Sequence, residues 1–99
     1  MLSPAETNLL VVLKSALADR FGDRLLGLKL FGSRARGEGR DDSDLDVLVD
    51  VRDVTSSERA VILDLAHDLS LEHDLVLSPL VLRPGVTPRP DILREAVAL

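Results

Sequence analysis

Cysteine is absent from the chain, and that absence excludes disulfide bridges, thiolate catalysis and cysteine-based zinc sites. It fits a reducing compartment, and the cytoplasm is the expected location. Tryptophan and tyrosine are missing too, leaving two phenylalanines as the aromatic residues, so a core has to be built mainly from Leu, Val, Ile and Ala. Positive charge is in deficit: 12 Lys and Arg stand against 17 Asp and Glu, a formal charge of -5. That balance argues against an indiscriminate grip on nucleic-acid backbones. No run approaches the roughly 18 continuous apolar residues of a membrane span. The opening MLSPAETNLLVVLKSALADRF is amphipathic, without the basic start and unbroken apolar stretch of a signal peptide. A soluble, unprocessed chain without a membrane partner is expected.

What is present suits one small domain over residues 1–99, because separate hydrophobic cores need on the order of 100 residues each. Ser3-Pro4-Ala5-Glu6 combines an N-cap serine, a proline at the first helical position and a glutamate three residues after the cap. Leu9, Leu10, Leu13, Leu17 and Phe21 then recur at helical spacing, and Gly22 is placed to end the run. The apolar run from Leu25 to Phe31 predicts a buried strand that enters a tight turn at Gly32-Ser33. Residues 32–43 read as a surface loop with one short helical turn.

From Asp44 to Val51, residues Leu45, Val47, Val49 and Val51 alternate with Asp44, Asp46, Leu48 and Asp50, the period of a second strand. Thr55 and Glu58 repeat the capping pattern ahead of Val61, Ile62, Leu65 and Leu69, which predicts a second amphipathic helix ending near Leu71. Leu75 to Leu82 reads as a third strand, pushed to an edge or a bulge by Pro79. A proline-rich loop over 83–90 follows, and 91–99 reads as a short helix or a helix turning into a strand. The expected fold is therefore α/β (α+β): a small mixed β-sheet of three to five strands with two helices packed on one face and the site at the sheet's open edge.

The chemistry concentrates in FGSRARG and SDLDV. A strand ending in Gly-Ser presents backbone N–H groups and a hydroxyl to an anion, and Gly32 removes the side chain that would block close approach. Asp44 and Asp46, two apart on a strand, project from one face with Cα atoms roughly 7 Å apart and can converge on one cation. Hard oxygen ligands beside a phosphate cradle suit Mg²⁺ shared with a triphosphate. Asp50 shares that face but lies about 13 Å farther on, outside a ligand set.

These residues resemble the minimal nucleotidyltransferases of the DNA polymerase beta superfamily, whose pattern is Gly-Ser, a spacer, then Asp-x-Asp. FGSRARG followed by SDLDVLV carries the resemblance, which extends more loosely over the whole chain. It implies the polymerase-beta-like nucleotidyltransferase fold, with Gly32 and Ser33 on the phosphates and Arg36 and Ser43 completing the nucleotide-binding set. It further implies Asp44 and Asp46 on the metal, two Mg²⁺ ions with the bound NTP, and a third carboxylate on a neighbouring strand that activates the attacking hydroxyl. Asp74, ahead of LVLSPLV, is the residue for that role. Ser78 stands farther along, where some relatives carry the acid.

Arg34, Arg36 and Arg40 either offset phosphate charge or keep an acidic loop soluble, with Arg36 the best candidate for the former. A calcium loop over Asp42, Asp44 and Asp46 is discounted, because Val47 stands where the turn needs glycine. His67 and His73 read as structural. No Ser-His-Asp arrangement, GxGxxG turn or P-loop occurs. The resemblance implies transfer of a nucleoside monophosphate from an NTP, with ATP the expected donor, to a hydroxyl on a partner protein or other acceptor. A small helical HEPN-type protein is the expected partner, with the chain as antitoxin of a HEPN toxin. The competing reading is a catalytically weak nucleotide- or partner-binding module of the same fold. Homo-oligomerisation stays open.

Overall fold

The computed structural model describes residues 2–37 and 44–99. The first helix, α1 (Pro4–Phe21), starts on a complete capping box. Ser3 Oγ accepts from the Glu6 N–H at 3.1 Å, and the Ser3 N–H donates to Glu6 Oε1 at 2.8 Å. Pro4 has no N–H to satisfy, and two of the three remaining orphan donors of the helix start are thereby bonded. Gly22 closes the helix at φ 55°, and one 3₁₀ turn leads into β1 (Leu25–Phe31).

Beyond β1 lie the four-residue helix α2 (Gly32–Ala35) and the strand β2 (Leu45–Val51). The second long helix, α3 (Ser56–His73), carries its own capping box between Thr55 and Glu58. The chain then runs through β3 (Leu77–Val81), α4 (Pro90–Glu95) and the two-residue β4 (Val97–Ala98). The helix–strand option for the last nine residues is the one adopted. No described helix is long and apolar enough to cross a membrane.

The four strands form one sheet in the order β3-β2-β1-β4. Its pairing is mixed: β1 runs antiparallel to β2 and β4, while β2 and β3 are parallel. Pro79 lies on the edge strand β3, where its missing N–H costs no ladder bond on the open side. Leu28, Leu30, Leu45, Val47, Val49, Leu77 and Val81 meet Leu9, Leu13, Leu17, Ile62, Ala66 and Leu69 in the core, so α1 and α3 cover one sheet face. The other face carries Lys29, Asp46, Leu48 and Asp50 by strand alternation. There Leu82, Thr87, Pro88 and Leu93 join Lys29, Leu48 and Asp50 around a cavity of about 270 Å³. The last segment, α4 included, thus lies against the face opposite the two long helices.

Two sequence expectations need correction here. β3 begins at Leu77 and not at Leu75, because α3 continues to His73 and Asp74 closes it in a left-handed conformation. The Gly-Ser turn and Asp46 are also not at the sheet's open edge, since β2 is flanked by β1 on one side and β3 on the other.

Candidate nucleotide and metal site

The antiparallel register pairs Phe31 with Asp46, so the end of β1 lies beside the start of β2. The next residue, Gly32, has φ +75°, a conformation that favours glycine. A Cβ built there would overlap Asp46 Oδ2 and stand 3.2 Å from Asp46 Cγ. The backbone of the Gly-Ser turn and the carboxylate of Asp46 are therefore in direct apposition. Ser33 follows at the start of α2, whose first-turn N–H groups have no intrahelical acceptor.

Asp44 is exposed and immediately precedes β2, and the following Leu45 N–H donates to the Val76 carbonyl at 2.9 Å. This bond, with the Asp46–Ser78 register pair, fixes the start of β2 against the approach to β3. Burial pushes the Asp46 carboxyl above its ordinary range, and the charge of Asp44 adds to the shift. A second source of negative charge beside a partly desolvated carboxylate is what an added cation would relieve. The donor set agrees: two carboxylates next to a backbone surface cleared of side chain suit a hard cation that retains ligands from phosphate and water.

Asp74 does not join this pair. It is the C-cap of α3, at φ 52° and ψ 39°, with its N–H bonded to the Ser70 carbonyl. Its neighbours line a cavity of about 430 Å³ between α3 and the edge of β3, with Leu63, His67, Leu71 and Pro79. Among the described residues no group of three His, Asp or Glu side chains is placed to hold a metal. The structure thus does not bring Asp74 together with Asp44 and Asp46. The β3 residue level with Asp46 is Ser78, half-buried on the same face.

Arg34 is used differently from the sequence expectation. Arg34 is buried, and its Nη2 donates to Glu6 Oε1 at 2.5 Å, with both side chains at most 4% exposed. It anchors α2 to the start of α1 and is neither a solubilising residue nor free to meet a phosphate. Arg36 caps α2 and pairs with Glu95 of α4 at 2.7 Å, both side chains partly exposed. Ser43 and Arg40 lie outside the described residues. Sequence reasoning missed Glu6 as part of this neighbourhood, because its capping role alone accounted for it.

The site is thus a glycine turn pressed against a strand carboxylate, in a mixed sheet backed by two helices. Comparison with known proteins gives the class of the domain. The family model described as nucleotidyltransferase domain matches residues 11–96, and the chain belongs to that family. It is 38% identical over 92 residues to the protein adenylyltransferase MntA of Thermococcus cleftensis (strain DSM 27260 / KACC 17922 / CL1), covering 91% of this chain and 88% of that one. A solved chain provisionally described as a minimal nucleotidyltransferase superposes with a TM-score of 0.59 at 31% identity, covering 94% of each chain. A chain from a crystal structure of a toxin-antitoxin with AMP-PNP shares the fold, at a TM-score of 0.63 and 20% identity over 92% of this chain and 69% of that one. The fold and the enzyme class expected from FGSRARG and SDLDV are those found.

Proposed function

We propose that this domain transfers a nucleoside monophosphate from ATP, with Mg²⁺, to a hydroxyl on a partner protein. The observation that carries the reading is the apposition of Gly32 and Asp46. With Gly32 and Asp46 side by side, one Mg-triphosphate would touch both the backbone of the turn and the carboxylate. Gly32 and Ser33 take the phosphates, Asp44 and Asp46 hold the metal, and Arg36 and Ser43 complete the nucleotide set. Bound there, Mg²⁺ supplies neutralisation of the charge that develops on the phosphoryl oxygens.

The acceptor oxygen attacks the α-phosphorus, an O–P bond forms, the bond to the β-phosphate oxygen breaks and pyrophosphate leaves with that electron pair. The hydroxyl proton passes to solvent or to a base of the acceptor. The relative named a protein adenylyltransferase supports a protein acceptor, and the toxin-antitoxin neighbour supports a partner of the HEPN type, with this chain as the antitoxin. The cytoplasm is the expected setting.

One observation favours a second reading, a binding module with little turnover. Beside Asp46 stands Ser78, and a serine hydroxyl is not a base at neutral pH. Incubation with ATP labelled at the α-phosphate and a purified HEPN partner separates the two. Label on the partner supports transfer. Nucleotide binding with no label on any supplied acceptor supports the module, and Ser78→Asp should then raise turnover if the missing carboxylate is the cause.

A further inference from the structure

The buried pair Glu6–Arg34 has no part in the chemistry above, and it is the only fully buried charge in the described residues. We propose that Glu6 and Arg34 are positioning residues that set where the Gly-Ser turn stands relative to Asp46. The proposal deepens the nucleotide-site reading and rests on it for its functional half.

A four-residue helix has no stability of its own, because helix nucleation is unfavourable and short segments depend on tertiary ties. α2 is such a segment, and no side chain caps its start. Its beginning is fixed by β1 and its end is tied to α4 by the partly exposed pair Arg36–Glu95, and between them Arg34 supplies the buried tie. Arg34 reaches across to Glu6 Oε1 at 2.5 Å. Glu6 is itself immobilised, since the same oxygen accepts from the Ser3 N–H and the Glu6 N–H donates to Ser3 Oγ. The capping box of α1 is therefore a rigid post, and Arg34 ties the turn to it across 28 positions of sequence.

Energetics points the same way. A buried ion pair is seldom more stabilising than two apolar side chains of similar volume, because desolvation offsets the attraction. Its distinctive property is direction, and a planar guanidinium on a fixed carboxylate specifies orientation more narrowly than apolar packing does. The turn carries Gly32, whose backbone already has no room to spare against Asp46. A small rotation of α2 would either close the phosphate surface or drive Gly32 into that carboxylate.

The test uses the whole chain in three variants: Arg34→Lys, Glu6→Gln, and the paired Glu6→Leu with Arg34→Met. Three readouts are taken on each: thermal midpoint, hydrogen exchange of the Arg36 and Gly37 amides, which donate to the Gly32 and Arg34 carbonyls at 3.3 Å, and affinity for a fluorescent ATP analogue with Mg²⁺. The paired variant is expected to fold with a midpoint near wild type, while the Arg36 and Gly37 amides exchange faster and affinity falls by about tenfold or more, as misplacement of binding groups does. Arg34→Lys, which keeps charge but loses the fork, should fall between. If the paired variant does not fold, Glu6→Gln, which keeps an oxygen for Ser3 and Arg34, should show the same changes in smaller measure. Wild-type exchange at Arg36 and Gly37 in a folded variant would overturn the positioning claim, and faster exchange with unchanged affinity would overturn its functional half. A wild-type protein that bound no Mg-nucleotide would fail the site reading instead, and the exchange result would still decide whether Glu6 and Arg34 hold the turn.

Discussion

Gly32 and Asp46 touch across the junction of β1 and β2, closely enough that a methyl group on Gly32 would overlap Asp46 Oδ2. Two penalties therefore fall on any side chain there. The backbone at φ +75° costs a non-glycine residue about 1–2 kcal/mol, and the overlap adds strain or displaces the carboxylate. Gly32→Ala should lower unfolding free energy by at least about 1–2 kcal/mol in urea titrations, and Gly32→Val by more. Both should weaken Mg-nucleotide binding beyond what their residual folding explains. Full affinity in folded Gly32→Val would place the cradle elsewhere.

Asp46 also bears on stability. Its carboxyl is held above the ordinary range by burial and then by Asp44, so the folded state disfavours the ionised form. At any pH above that raised value the ionised carboxylate opposes folding, and the opposition fades as pH falls through it. Asp46→Asn, of the same shape, should raise the thermal midpoint of the nucleotide-free protein at neutral pH. It should also lose the stabilisation that Mg-ATP gives wild type. A lower midpoint without ligand would show that the carboxylate is structural.

The opposite sign holds for Glu58. Its hydrogen bonds from Arg24, at 2.6 and 2.8 Å, and from the Thr55 backbone lower its carboxyl to about 2 from an ordinary 4.5. A depressed pKa contributes stability that is complete above the unfolded value and is lost as pH falls through the folded one. Thermal melts should therefore show wild type losing midpoint relative to Glu58→Gln between about pH 4.5 and about pH 2. A constant difference across that window would contradict the assignment.

Asp74→Asn tests the base and third ligand expected from the sequence separately from the pair Asp44 and Asp46. Asparagine tolerates the left-handed conformation at the end of α3, so unfolding free energy should change by no more than about 0.5 kcal/mol. Mg-nucleotide affinity should be unchanged. A tenfold loss of affinity in the folded variant would bring Asp74 back to the metal.

Much of this was legible in local chemistry. Ser3-x-x-Glu6 and Thr55-x-x-Glu58 announced both long helices, and the alternation from Asp44 to Val51 announced β2 with its site-facing aspartates. Two features were not legible, each decided by tertiary context. LVLSPLV is apolar enough to read as strand from Leu75, but Asp74 takes a left-handed cap and the pairing with β2 starts at Leu77. The short apolar run said nothing about where the register would lock, and that register puts Ser78 beside Asp46 in place of a carboxylate. Arg34 sits in a stretch so polar that a loop role was natural, and nothing local links it to a glutamate 28 residues earlier that already had a capping role. The last strand, two residues long, left no periodic signal, so the sequence offered it only as one of two options for residues 91–99.

In the proposed reaction Asp44 and Asp46 act through a metal on nucleotide phosphates, and titration calorimetry of ATP with and without Mg²⁺ tests that most directly. Wild type should bind ATP weakly alone, where the two carboxylates repel the triphosphate, and markedly tighter with Mg²⁺. The folded double variant Asp44→Asn with Asp46→Asn should lose that metal-dependent gain, by about tenfold or more, equivalent to about 1.4 kcal/mol. An unchanged Mg-ATP affinity in the folded double variant would contradict the site.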